Sequence, residues 1–386
     1  MRFNRTECFW LILIWILLTS CTVLAQSSLQ LGGEEEENTA MVLWPRQIEE
    51  GPDGNLYVLD GGDSFIKVYA PDGEFLRKLG GPGEGPGEFQ RTDGAFFGFT
   101  AAGNLFFTEF FGGHRWITVM KLDGDLIRTV APQFEASYGI SNAVALEDGG
   151  FLITFVFDSA AYPGNDLYLY NLRRALVRMD SEGSIVSQVI ETEYPSMISF
   201  SPNGGTMSLP YIPKFTWAVT TDGSVIWSDG LSPDFTVLNF DGTSTGIFKT
   251  ELPEPEKVTG EDLNYWRSSR KEMLIANDAT WWNRFGRVIE KYDHSLFDKI
   301  PLLQKISSVP GGNLLIQRSG NPETELNTFW LLDDQGKLLS TVTTDVWSLQ
   351  ISRHFVMFFS EYEDGSTAVN VVGWSGAVDQ ALDFLK

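Results

Sequence analysis

The sequence predicts an all-β fold, a six-bladed β-propeller of four-stranded antiparallel blades with a helical insertion before blade five, and three observations carry that expectation. Short apolar or alternating runs are separated by Gly-containing turns along most of the chain, which is the pattern of brief antiparallel strands. Two turn classes recur in phase: Asp53-Gly54, Asp148-Gly149 and Asp222-Gly223 in one, Asp72-Gly73, Asp123-Gly124 and Asp241-Gly242 in the other. The units so delimited are about 40 to 60 residues long, the period of a propeller blade. A pair of β-sandwiches or an irregular solenoid is the competing architecture, and the phase of the turns speaks against it.

In chain order, residues 1–25 have the make-up of an export leader, with Arg2 and Arg5 ahead of the apolar stretch Phe9 to Leu18. Leu18-Thr19-Ser20-Cys21 is similar to a bacterial lipobox, which would acylate Cys21; Val23-Leu24-Ala25 is similar to an ordinary signal-peptidase site. Both readings stay open, and the apolar run is short for an uncleaved membrane span. The expected location is therefore extracytoplasmic, in the periplasm of a bacterium or at a membrane through a lipid on Cys21. Residues 26–40, with Gly32-Gly33 and Glu34 to Glu37, read as a solvated linker or, alternatively, an acidic interaction tail.

The propeller is expected over 41–386, and its first unit is the most complete. Arg46 to Glu49 forms a strand with Pro45 at its start, where a missing N–H is tolerated. Pro52-Asp53-Gly54-Asn55 is a turn, and Leu56 to Leu59, apolar throughout, is a strand buried on both faces. Phe65 to Tyr69 and the alternating Glu74 to Leu79 follow across Pro71-Asp72-Gly73. The order returns around Asn104, Gly149, Gly223 and Gly312. The last unit, with strands at Val346 to Ile351, Phe355 to Ser360 and Ala368 to Val372, has lost its Asp-Gly turns. Between units four and five, 252–301 carries a capping-box pattern at Thr259 to Asp262, then Leu263, Trp266, Arg270, Met273 and Leu274 at helical spacing. A second helix is expected over Asn283 to Tyr292. Trp266, Trp281, Trp282 and Phe285 either line a pocket or pin this insertion to the propeller.

Composition narrows the function classes. A net charge of -23 excludes a nucleic-acid surface, because phosphates would be repelled and no basic stripe offsets the field. Any membrane association is expected only through the N-terminal lipid. The only cysteines are Cys8 and Cys21, so stability rests on an apolar core, for which 43% hydrophobic residues suffice.

The strings PDGNLYVLD and IKVYAPDGEFLRKLGGPGEGPGEFQ within residues 52–90 resemble the NHL repeat, and the chain resembles six-bladed NHL-type propellers of the bacterial cell envelope. The resemblance is strong over 41–130, recognisable to about 245 and again at 301–340, and weak beyond 345. It implies the fold and leaves the activity open.

Counting strands A to D outward from the channel, the A–B and C–D turns are mostly tight, whereas the long insertions, 158–174, 191–214 and 252–301, all fall in B–C or D–A connections. Elaboration on one face points to that face as the functional one. The A-strand starts there supply the ligand-binding candidates Arg46, Tyr138, Asn142, Trp217 and Trp347. They are aromatic, amide and basic, which favours binding of a protein or small-molecule ligand over catalysis. The alternative is a divalent-metal-dependent hydrolase or lyase on the same face, as in propeller lactonases. No catalytic residue and no metal ligand set is assigned. His114, His294 and His354 fall on unrelated elements, against a zinc site. No cofactor is expected; Ca²⁺ would need the acids ending the B strands, Asp60, Glu109, Asp158, Asp229 and Glu361, to converge rather than bond the turns that follow them.

Overall fold

The computed structural model describes residues 28–32, 40–109 without 86, 90, 91 and 93, 116–133, 139–158, 162–163, 168–199, 206–277, 279–292, 295–318, 326–361, 367–374, 380–382 and 385. The leader with Cys21, and Tyr138, lie outside them.

Sheet one is an antiparallel meander of Pro45–Glu50, Leu56–Asp60, Phe65–Tyr69 and Phe75–Gly80, paired in that order. Its second strand is buried along its whole length, because both faces are covered by neighbouring sheets. The fourth strand alternates toward solvent, as its sequence pattern requires. Gly54 closes the first turn at φ 80°, a conformation that a side chain makes costly.

The same meander recurs. Sheet two holds Phe96–Phe99, Leu105–Thr108, Ile117–Met120 and Leu126–Val130; sheet four holds Thr216–Val219, Val225–Ser228, Phe235–Leu238 and Ser244–Phe248. Sheet five holds Leu303–Val309, Asn313–Arg318, Asn327–Leu332 and Leu338–Thr344. Sheet three begins with Gly139–Ala145 and Phe151–Asp158, but its outer hairpin, Tyr168–Met179 with Ile185–Ser199, stays paired from Met179↔Ile185 to Tyr168↔Ser199. That ribbon runs well past the sheet's inner strands.

Sheet six takes Ser348–Ile351, Phe355–Glu361 and Thr367–Gly373 from the end of the chain. Its fourth strand is Ser28–Leu31, antiparallel to the third with Leu29 opposite Val371 and Leu31 opposite Val369. The expectation of a linker over 26–40 is therefore corrected at these four residues. An unpaired edge on Thr367–Gly373 would leave a row of open backbone groups, and Leu31 contributes a side chain only 2% exposed to the adjacent core.

The apolar core is a ring of interfaces, not a single mass. Tyr57, Leu59 and Ile66 of sheet one pack on Phe97, Leu105 and Phe107 of sheet two. Corresponding clusters join sheets two and three, three and four, four and five, and five and six. Leu31, Met357 and Val369 of sheet six meet Ile48, Leu56 and Val58 of sheet one and close the circle. Glu50 reinforces this seam by accepting hydrogen bonds from the Ser352 hydroxyl at 2.5 Å and the His354 N–H at 3.1 Å. The innermost strands of all six described sheets face one central channel, the arrangement of a β-propeller.

A second, smaller core stands on the upper face, the one bearing the connections between sheets. Helices α1 (Gly260–Asn277) and α2 (Ala279–Lys291) form a hairpin. At the start of α1 the Thr259 hydroxyl accepts the Asp262 N–H at 3.3 Å while the Asp262 carboxylate accepts the Thr259 N–H at 2.7 Å, a reciprocal cap. Leu263, Trp266, Val288 and Tyr292 pack against Ile198 of the sheet-three ribbon and against Met207 and Leu209 beyond it. Trp266 meets Tyr292 edge to face at 5.5 Å. Helical insertion and ribbon thus make one cap. No helix among the described residues is long and apolar enough to cross a membrane.

Candidate functional site: the central channel

The channel encloses a cavity of about 710 Å³. Its walls follow from strand geometry, since each inner strand turns alternate residues into the packed intersheet cores and leaves the others toward the axis. Ile48, Phe97, Ala143, Trp217, Ile306 and Leu349 are the buried members, and Phe97, Ala143, Trp217 and Ile306 also border the cavity. Between them the cavity receives Arg46, Gln47 and Glu49 from sheet one, Phe96 from sheet two, Asn142 from sheet three, Gln304 and Lys305 from sheet five and Gln350 from sheet six.

Glu49 is the chemical centre of this set. Gln47 Nε2 donates to one carboxylate oxygen at 2.9 Å, and Gln350 Nε2 donates to the other. Gln47 is itself fixed, donating to the Phe97 carbonyl at 2.8 Å and accepting the Phe97 N–H at 2.9 Å, so one amide bridges sheets one and two. Burial pushes the Glu49 pKa above the ordinary carboxylate value, while the two amide donors and the Lys305 charge pull the other way. The channel therefore offers a partly desolvated carboxyl, an exposed ammonium at Lys305, and amides placed by neighbouring strands.

The mouth above sheet one is held by a buried ion pair. Asp60 ends the second strand and accepts the N–H groups of Leu43 and Trp44 at 2.8 Å each and of Gly62 at 2.9 Å. Lys67, fully buried, donates to Asp60 at 2.6 Å and to the Met41 carbonyl, and pairs with Asp63 at 3.1 Å. Tying 41–44 down in this way sets Trp44, half exposed, beneath the Arg46 guanidinium, whose carbon lies 3.6 Å from the ring centroid.

Of the residues expected to contact a ligand, Arg46, Asn142 and Trp217 line the cavity, and Tyr138 is outside the described residues. Trp217 borders the cavity from within the wall: the residue is 4% exposed, its Nε1 donates to Thr154 Oγ1 at 2.8 Å, and it belongs to the core between sheets three and four. Trp347 is 37% exposed and packs on Phe359 at 4.8 Å, but it does not line the cavity. Its place is the upper rim, where its carbonyl accepts from Gln317 at 3.3 Å.

Among the B-strand acids, Asp60 is neutralised as described. The Asp229 carboxylate accepts the Leu231 N–H at 2.9 Å, in the turn that follows it. The side chains of Asp158 and Glu361 lie outside the described residues. Among those described, no three His, Cys, Asp or Glu side chains gather as a metal site. Glu49, Lys305 and Gln350 were missed in the sequence because only strand starts were read as channel-facing. The available signal was alternation within these inner strands, Gln47 and Glu49 about Ile48 and Lys305 and Ser307 about Ile306.

No known protein family and no curated protein matches the chain. Solved structures are similar in outline: a candidate exported protein from Bacteroides fragilis at 13% identity and TM-score 0.48, covering 91% of this chain and 95% of that one. Virginiamycin B lyase from Staphylococcus aureus has 11% identity and TM-score 0.42, covering 90% and 98%. A gluconolactonase from Xanthomonas campestris has 11% identity and TM-score 0.44, covering 86% and 87%. At these levels nothing about activity passes to this chain, which is defined by its architecture: a β-propeller, on the strength of its own closed ring of sheets around one channel.

Proposed function

We propose that this chain is an extracytoplasmic six-bladed β-propeller that binds a small polar ligand in its central channel, reached from the face carrying the B–C and D–A connections. One observation carries the reading: the 710 Å³ cavity, where a carboxyl, two cationic side chains and several amides converge from separate sheets beside the Phe96 ring. A pocket with a few fixed polar groups against aromatic walls is the usual form of a small-molecule site. The leader over 1–25, with Arg2, Arg5 and the apolar stretch after them, supports export. Trp347 and Trp44 on the upper rim are the candidate contacts for a larger ligand or a protein.

The test is a thermal-shift and calorimetric screen of the mature chain against hydroxy acids, amino acids and sugar acids, repeated on Lys305→Ala and Glu49→Gln. A compound that stabilises the wild type should lose about tenfold or more in affinity in at least one variant, the worth of one charge-assisted hydrogen bond. Equal affinity in wild type and both variants would remove the channel as the binding site.

A further inference from the structure

We propose a second ligand site outside the channel: the upper edge of the interface between sheets three and four, which binds a compact oxyanion through Arg174, Lys214, Thr192 and Trp227. Four polar groups belong to that interface, and strand register places three of them. Arg174 lies opposite Val156 on one side and Thr192 on the other. Two residues along the same strands, Thr154 receives the Trp217 indole of sheet four, so this side of sheet three faces sheet four. Trp227 pairs with Trp217 and turns its ring into the same interface, edge-on to Phe215 at 6.4 Å. Lys214 enters just before the first strand of sheet four, its N–H donating to the Asp229 carbonyl at 2.8 Å.

Trp227 and Thr192 bring polar atoms to this interface, and the Arg174 charge reaches Lys214. Trp227 Nε1 and Thr192 Oγ1 are buried and make no hydrogen bond. Arg174 and Lys214 are half-buried and make no ion pair among the described residues, in a chain that carries a net charge of -23. Burial lowers the pKa of each, and the Arg174 charge lowers Lys214 further, which brings two like charges within electrostatic reach. The acids nearby are committed elsewhere: Glu191 faces Arg173 on the opposite side of the sheet, and Asp229 accepts from Leu231.

Buried unpaired cations and donors are costly, and in an acidic protein a carboxylate partner would be easy to supply. Their retention side by side fits a site completed by an anion. The donor set comprises a planar guanidinium, an ammonium, an indole N–H and a hydroxyl; it contains no committed acceptor. It suits a phosphate or carboxylate group carried on a small solute. None of the four residues lines the channel cavity, so the site stands or falls separately from the channel reading.

The test uses the mature chain with inorganic phosphate and, separately, acetate, titrated at constant ionic strength against chloride and read by calorimetry and thermal melting. Saturable binding that raises the melting temperature is expected with at least one; phosphate alone identifies a phosphoryl ligand, acetate alone a carboxylate. Lys214→Met and Arg174→Gln should each weaken that binding about tenfold or more. The same variants should melt at or above the wild-type temperature without anion, since an uncompensated charge has been removed. A purely structural role for either residue predicts the opposite sign. No saturable response to either anion, or an unchanged response in both variants, overturns the proposal.

Discussion

The Asp60–Lys67 pair gives the sharpest test of how the mouth is held. Asp60→Asn replaces one carboxylate oxygen with an amide NH₂ that faces the Leu43 N–H and the Lys67 ammonium, both donors. The ammonium, fully buried, is left to Asp63, which already serves Lys78 at 2.7 Å. Removing one partner of a buried pair costs about 3–5 kcal/mol. With an unfolding entropy of about 2.1 cal/mol/K per residue over ~350 ordered residues, that is a fall in melting temperature of about 4–7 °C. Lys67→Met should cost roughly half as much, because Asp60 keeps its three backbone donors and Asp63 keeps Lys78. The double variant should lie above the sum of the singles by about 1–3 kcal/mol. Chemical denaturation of the four proteins measures all three quantities. If Asp60→Asn is no more harmful than Lys67→Met, or the two add, the ion pair does not organise 41–44 and the argument fails.

Two further outcomes follow from the geometry. The folded-state pKa of Glu49 is raised, so between its unfolded and folded values the native protein holds more protons than the unfolded chain, and stability falls as pH rises through that window. Glu49→Gln should therefore gain melting temperature relative to wild type near pH 7, with the difference vanishing below the unfolded pKa; a pH-independent difference would refute the burial argument. Leu31→Ala should cost about 2–5 kcal/mol, as for other large-to-small changes in a packed core, and should speed proteolysis in sheet six; unchanged denaturation and proteolysis would mean Ser28–Leu31 does not bear on the ring.

What could be read in the sequence was whatever local chemistry enforces. Asp-Gly turns were legible because Gly54, Gly149 and Gly223 need positive φ, and Leu56 to Leu59 was legible because a wholly apolar run of strand length has few other homes. The α1 start was legible through Thr259 and Asp262, which bond each other three residues apart. Long-range pairing left no comparable mark. Ser28–Leu31 is four residues beside an acidic run, and its partner strand is at 367–373. The ribbon of sheet three was read as insertions, since Glu191, Thr192 and Glu193 alternate without an apolar face. The burial of Trp217 was not legible because exposure of an inner-strand residue depends on which neighbour fills its side, and Thr154 does so from 63 residues away.

Supplying the outer strand of the last sheet from the front of the chain gives the molecule a topological order of assembly. Sheets one to five pair residues close in sequence, but Leu31 meets Val369 only across a loop of about 340 residues, whose closure entropy is on the order of 5 kcal/mol. That contact belongs to the late side of the folding barrier, where topology makes formation slow. An interaction absent from the transition state acts almost wholly on the rate of opening. The strand Ser28–Leu31 is then a brake on unfolding, which lengthens the lifetime of the native state more than it raises equilibrium stability.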